Sequence, residues 1–199
     1  MSRGQREIVL CFLPLDSDLL ERSWLNYGAG KIAPKRKYSP GKKAPPPMVH
    51  VELLIKDDDG DEGFAASICY NRKVHYMKKK FSRKNWHFRS LFVTDAQHKK
   101  LKLWLSSQRG CPFNKFGFFM LGLTGMRFSG NWSTRFGWKP RYFCCELIVK
   151  ALKVVGYFQE SPTSLPTVCH PEELYQYTSI ISCPTSHPVR ELDVGSFQY

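Results

Sequence analysis

The tightest constraint on folding is one apolar stripe. Cys144, Leu147, Ile148, Ala151, Leu152 and Val155 recur at i, i+3, i+4, i+7, i+8 and i+11, which is a single face of an α-helix. The pattern predicts a helix over 144–155, closed by Gly156 in the position where glycine commonly caps. Glu146 and Lys150 form an i,i+4 pair on what the pattern makes its outward side. Such a stripe needs a covering surface, and β-forming segments elsewhere can provide it. Residues 6–14 read as a buried strand and 49–55 as another, with 64–70 as the hairpin partner of the latter across a polar turn at 57–63. Residues 74–93 alternate basic with apolar or aromatic side chains and read as two further strands. Thr94-Asp95-Ala96-Gln97 is a capping box that starts a helix running to about Gln108 and stopping at Gly110. A broken helix near 114–122 and a short helix at Pro171-Glu172-Glu173-Leu174-Tyr175 complete the reading. The fold class expected is α+β: an antiparallel sheet packed against a helix that carries a cysteine at its N-terminus.

The 199 residues suit one domain, with 42% hydrophobic residues to build its core. That domain is expected over 1–175, with a flexible basic loop at 28–48, where glycines, prolines and basic residues replace any aliphatic pattern. An extended tail is expected over 176–199. Seven cysteines, odd in number and without a CxxC pair, argue against a disulfide framework or a zinc site and for a reducing compartment. The acidic turn 57–63 is rich in oxygen donors but lacks the downstream bidentate glutamate of a calcium loop, so no metal and no cofactor is assigned. The start of the chain is polar, and the longest apolar run, 116–123, falls short of a spanning helix. A soluble, cytoplasmic protein is expected.

Chemistry concentrates on few residues. Cys144 opens a helix, where unpaired N–H groups and the helix dipole favour a thiolate; the alternative is an ordinary buried cysteine on an apolar stripe. Cys145 points about 100° away and reads as a small core residue. His50 shares one strand face with Glu52 and Leu54. Cross-strand positions facing His50 fall near Ser67, Cys69 or Asn71 if the turn centres on Asp59, and Ser67 and Asn71 can accept a hydrogen bond from an imidazole. Glu52 is a further candidate by proximity, or a solvated neighbour. His170, in Val168-Cys169-His170-Pro171, is an alternative base. Phe116, Phe118, Phe119, Trp132 and Trp138 read as pocket wall and core.

Two segments carry a resemblance. Val49-His50-Val51-Glu52-Leu53 and Tyr142-Phe143-Cys144-Cys145-Glu146-Leu147-Ile148-Val149-Lys150-Ala151-Leu152 resemble the two motifs of the circularly permuted NlpC-like cysteine hydrolases of the papain-like superfamily, in which the histidine strand precedes the cysteine helix. Gly110-Cys111-Pro112-Phe113-Asn114 is similar to a loop these proteins often carry, and 171–175 to their usual ending. The resemblance implies Cys144 as nucleophile and His50 as base, with a polar residue on the following strand orienting the imidazole. Ser67 and Asn71 are the candidates there, since 64–70 holds no carboxylate. Tyr142 and the backbone N–H of Cys144 or Cys145 are the expected oxyanion donors. It also implies a peptide, amide or lipid-ester substrate, with acyl transfer in place of hydrolysis as an alternative. Viral members of the superfamily exist, which would put such a chain in host cytoplasm.

The net charge of +13 with pI about 9.5 supports a different reading, a basic protein that binds nucleic acid or an anionic membrane on an inactive hydrolase fold. Its Lys/Arg patches would be Lys31, Lys35, Arg36, Lys37, Lys42 and Lys43, and Arg72, Lys73, Lys78, Lys79, Lys80, Arg83 and Lys84. The second is interleaved with Tyr70, Tyr76, Phe81 and Trp86, as a phosphate-gripping, ring-stacking surface would be. A solvated strand face explains that pattern as well.

Overall fold

The computed structural model describes residues 4–20, 24–35, 45–56, 63–158 and 165–181. Along the chain these form β1 (Gln5–Pro14), α1 (Trp24–Ile32), β2 (Met48–Lys56), β3 (Gly63–Ser67), β4 (His75–Lys79), β5 (His87–Thr94), α2 (Asp95–Ser107), α3 (Lys115–Thr124), a 3₁₀ segment (Gly130–Phe136), α4 (Cys144–Val154) and α5 (Pro171–Ile181). The strands make one antiparallel sheet in the order β4-β3-β2-β1-β5, so the fold class is α+β.

Strand alternation divides the core. Ile8, Leu10 and Phe12 of β1 and Val51, Leu53 and Ile55 of β2 face the helices, in a large cluster with Leu101 and Leu105 of α2, Leu147, Ile148 and Leu152 of α4, and Leu174 of α5. Val9, Cys11 and Leu13 of β1 and Leu54 of β2 point the other way, into a smaller cluster with Phe81 and Trp86. β2, as the middle strand, is covered on both faces, and it carries His50 and Glu52 on the side of the smaller cluster. Helix α4 is the densest apolar element: Leu147, Ile148, Val149, Ala151 and Leu152 are all 0% exposed. Removing one such leucine side chain costs about 2–5 kcal/mol.

The capping box at Thr94 is formed. The Gln97 N–H donates to Thr94 Oγ1 at 3.2 Å and the Thr94 N–H donates to Gln97 Oε1 at 2.8 Å. Gly156 follows α4 at φ +75°, a left-handed position that suits glycine.

Several expectations are corrected. The basic loop at 28–48 does not begin as loop: α1 runs to Ile32. At Gly30 a Cβ would fall 2.5 Å from Leu15 Cδ2, so helix and strand end approach closely enough that the Leu15 side chain would have to yield. Positions 36–44, including Arg36, Lys37, Lys42 and Lys43, and the acidic turn 57–62 lie outside the described residues. The tail expected from 176 is helical as far as Ile181, since Leu174 and Thr178 bury one face of α5; 182–199 lie outside the described residues. The helix expected near 114–122 is continuous over Lys115–Thr124, with Asn114 Oδ1 accepting the Gly117 N–H at 3.0 Å as its cap. Glu146 and Lys150 do pair, at 2.9 Å, but inward, with Glu146 0% exposed. Among the described residues no helix is long and apolar enough to cross a membrane.

Candidate active site

Cys144 is the first residue of α4, half-buried, and its helix begins at Phe143 without a side-chain cap. The first backbone bond of the helix runs from the Leu147 N–H to Phe143 O at 3.1 Å. The N–H groups of Cys144, Cys145 and Glu146 therefore have no acceptor within the helix, as at any uncapped N-terminus. Such a terminus suits an anion.

His50 meets this terminus from β2. Its ring interacts with the Cys144 and Cys69 thiols and with the Glu52 carboxylate, all three favouring its charged form. Nε2 lies 3.2 Å from Ser67 Oγ and 3.4 Å from Glu52 Oε1. Burial opposes charging the ring, yet interaction with Cys144, Cys69 and Glu52 outweighs it and carries the His50 pKa well above its usual 6.5. The Trp86 ring stands edge-on to the imidazole at 6.3 Å between centroids and fixes its plane.

Glu52 is 2% exposed, which removes the reading of it as a solvated neighbour. Lys79 Nζ donates to Oε1 at 2.7 Å and lies 5.0 and 5.1 Å from the centroids of Phe81 and Trp86. Burial alone would raise the carboxyl pKa; the bond and charge of His50, with Lys79, reverse this and lower it to about 2. Glu52 Oε2 is buried and has no hydrogen-bond partner among the described residues. Lys79 thus departs from the solvated-face reading of the second basic patch: it reaches inward to the site.

The hairpin register decides who else is present. Leu53 pairs with Ala66 and Leu54 with Ala65, which sets Ser67 across from Glu52 and Cys69 beyond it, beside His50. Ser67 is 0% exposed. Cys69 is exposed; burial of its sulfur would raise its pKa, but the bond to His50 lowers it. Asn71 leaves the group. It stands exposed in the turn after β3 at φ 60°, a left-handed conformation that asparagine tolerates, and no contact with His50 is found for it.

Two further assignments change. The Tyr142 hydroxyl donates to Gln108 Oε1 at 2.7 Å and the side chain is 3% exposed, so the phenol belongs to the core between α2 and α4 and is no oxyanion donor. Cys145 is 0% exposed, with its sulfur 2.8 Å from that of Cys169, and burial raises its pKa; only its backbone N–H faces the helix terminus. His170 is structural: Nε2 donates to Ala29 O at 2.9 Å and Nδ1 accepts the Glu172 N–H at 3.1 Å. It joins α1 to α5.

Glu146, which the sequence turns outward, holds the framework. Its Oε1 accepts from Ser129 Oγ at 2.6 Å, the Gly130 N–H at 3.0 Å and Lys150 Nζ at 2.9 Å, and its Oε2 from Asn114 Nδ2 at 3.4 Å. At Gly130 a Cβ would fall 2.0 Å from Arg141 O, so only glycine lets the chain pass there. Among the described residues no group of three or more His, Cys, Asp or Glu is arranged to hold a metal ion. Comparison with family models, curated proteins and solved structures yields no match.

Proposed function

We propose that the protein is a cysteine hydrolase of amide or ester bonds, with the permuted papain-like arrangement that its His50 and Cys144 segments resemble. One observation carries this reading: the first residue of α4 is a cysteine that interacts with the His50 imidazole, whose Nε2 meets Ser67 and a buried glutamate. The chain order agrees, with the histidine strand before the cysteine helix. An elevated imidazole pKa is what a base needs to take a thiol proton, and an uncapped helix N-terminus favours the resulting thiolate.

The reaction follows from these parts. The Cys144 proton passes to His50, and Glu52 stabilises the imidazolium. The sulfur attacks the substrate carbonyl carbon, forming a C–S bond, and the oxygen takes up the electron pair beside the N–H groups of the first turn of α4. Collapse of this adduct expels the amine or alcohol, which takes the proton from His50 and leaves a thioester on Cys144. A water molecule, deprotonated by His50, then releases the acid and restores the thiol. An alcohol or amine acceptor in place of water makes the same site an acyltransferase.

Iodoacetamide labelling of the folded protein with mass mapping of each cysteine tests the dyad. Cys144 should label below about pH 7, where an ordinary thiol is mostly protonated. His50→Ala should slow it by about a hundredfold, the scale of a positioned base. Cys69 shares the same imidazole, so the assay is repeated in Cys69→Ser, which should leave Cys144 reactive. Slow Cys144 labelling with an ordinary thiol pH profile in both proteins would overturn the reading.

A further inference from the structure

The stretch 109–142 contains six Lys or Arg and nine aromatic residues but none of the chain's 17 Asp and Glu. Its polarity is inside out. Asn114, Gly130 and Ser133 are buried, whereas Phe116, Leu123, Met126, Trp132, Phe136 and Trp138 are 41–81% exposed. These large side chains, of which Phe116, Trp132 and Trp138 read from sequence as pocket wall and core, project from a backbone that is firmly held from within. Asn114 Nδ2 donates to Phe128 O at 3.0 Å, and Ser133 Oγ to Gly130 O at 2.8 Å and Lys139 O at 2.9 Å. Lys150 Nζ reaches Asn131 Oδ1 at 2.7 Å, and Glu146 grips Ser129 and Gly130. The outer rings cluster with one another: Trp132, Phe136 and Trp138 have centroids 6.0–6.4 Å apart, and Phe116 and Phe128 lie 5.3 Å apart.

We propose that this face docks the protein on an anionic phospholipid bilayer. Soluble monomers rarely expose such a patch without a use for it. Trp and Phe beside Lys and Arg are the residues of the membrane–water interface, where rings sit at the headgroup level and cations meet lipid phosphates. Arg135 and Lys139, next to Phe136 and Trp138 in the sequence, are exposed and have no ion-pair partner among the described residues, and the stretch carries no carboxylate to repel the lipid. Exposed aliphatic Leu123 and Met126 favour acyl chains over the stacked bases of a nucleic acid, which aromatic rings alone would suit. The buried Glu146 ties Ser129 and Gly130 of this stretch to the first turn of α4, so its backbone is braced against the core.

Sedimentation of the full-length protein with phosphatidylcholine vesicles, with and without phosphatidylserine, tests the docking. Partitioning should rise with phosphatidylserine and be unchanged in Cys144→Ala, which separates docking from chemistry. The triple variant Trp132→Ser, Phe136→Ser, Trp138→Ser should lose about tenfold or more in partitioning, and Arg135→Glu with Lys139→Glu should lose the phosphatidylserine dependence. Phospholipids brominated on their acyl chains should quench tryptophan fluorescence in the unaltered protein, a readout that needs no variant to fold. Absence of vesicle binding, or equal binding by a folded triple variant, would overturn the proposal. So would self-association in gel filtration, or oligonucleotide binding, that the triple variant abolishes while vesicle binding persists.

Discussion

Two buried glutamates, each salt-bridged to a lysine, sit at the two ends of the same problem and are treated differently. Glu146 on α4 is fully satisfied: a hydroxyl, a backbone N–H, an ammonium and an amide converge on it, and both oxygens are used. Glu52 on β2 is not. Its Oε1 is shared between Lys79 and His50, and its Oε2 is buried with no partner among the described residues. A saturated carboxylate holds the loop at 129–130 against a helix and gains nothing from changing state. An under-coordinated one beside an imidazole holds charge in reserve for a neighbour that gains and loses a proton. The difference separates a joint from a working group more clearly than burial does, since both are almost inaccessible.

The largest expected effect tests the joint. Glu146→Ala should cost about 3–5 kcal/mol in urea unfolding, because it leaves Lys150 without its counter-charge and the Gly130 N–H buried without its acceptor. A loss under about 1 kcal/mol, within the range of an exposed pair, would dissolve the distinction. Next, Glu52→Gln should slow Cys144 alkylation by about tenfold while costing less stability than Glu146→Ala, since a lowered His50 pKa of one unit is a tenfold change in proton affinity. The direct measurement is the NMR titration of His50: its midpoint should lie above 6.5 in the wild type and fall in Glu52→Gln. An unmoved midpoint would remove Glu52 from the proposed site.

The pH dependence of stability gives a smaller effect with a definite sign. The folded pKa of Glu52 is depressed from 4.5 to about 2, so its contribution is present above about pH 4.5 and is lost as pH falls towards 2. The folded pKa of His50 is raised, so its contribution is fully present below pH 6.5 and is lost as pH climbs through the folded value. Thermal melts of Glu52→Gln should be flatter than the wild type on the acid side. The smallest expected change is in Lys79→Met, which should raise the Glu52 pKa yet leave Cys144 labelling within about tenfold, because His50 still contacts the carboxylate.

Much of the framework was legible because it rests on periodicity and local hydrogen bonds. The stripe from Cys144 to Val155 defines α4, Thr94 and Gln97 define the start of α2, and the β-forming runs 49–55 and 64–70 give the β2–β3 hairpin that brings Ser67 to His50. Helix α1 was hidden because its glycines and the prolines beyond it resemble loop, and the approach of Leu15 is felt at Gly30 alone, since Gly28 faces open space. Glu52 could be named but not weighed, since an acidic residue on a strand face is usually solvated. Its burial depends on Phe81, Trp86 and Lys79, which come from beyond β3. Glu146 was turned outward because helical period sets an angle but not what the neighbouring loop places there. The exposed Trp132 and Trp138 defeated the rule that large aromatics are inside, which is a rule about water.

Contact between His50 and Glu52 is made within three consecutive residues of one strand, and this makes the pair heritable as a cassette. Insertions in the turn, exchange of β3, or relocation of the chain termini would all leave 48–56 intact and pass the two on together. Ser67 has no such protection: 17 residues from His50 and across a hairpin, it can be lost to a register shift of one position. In descendants of this chain, the histidine and its carboxylate should therefore vary in concert, and the serine should be the first of the three to drift.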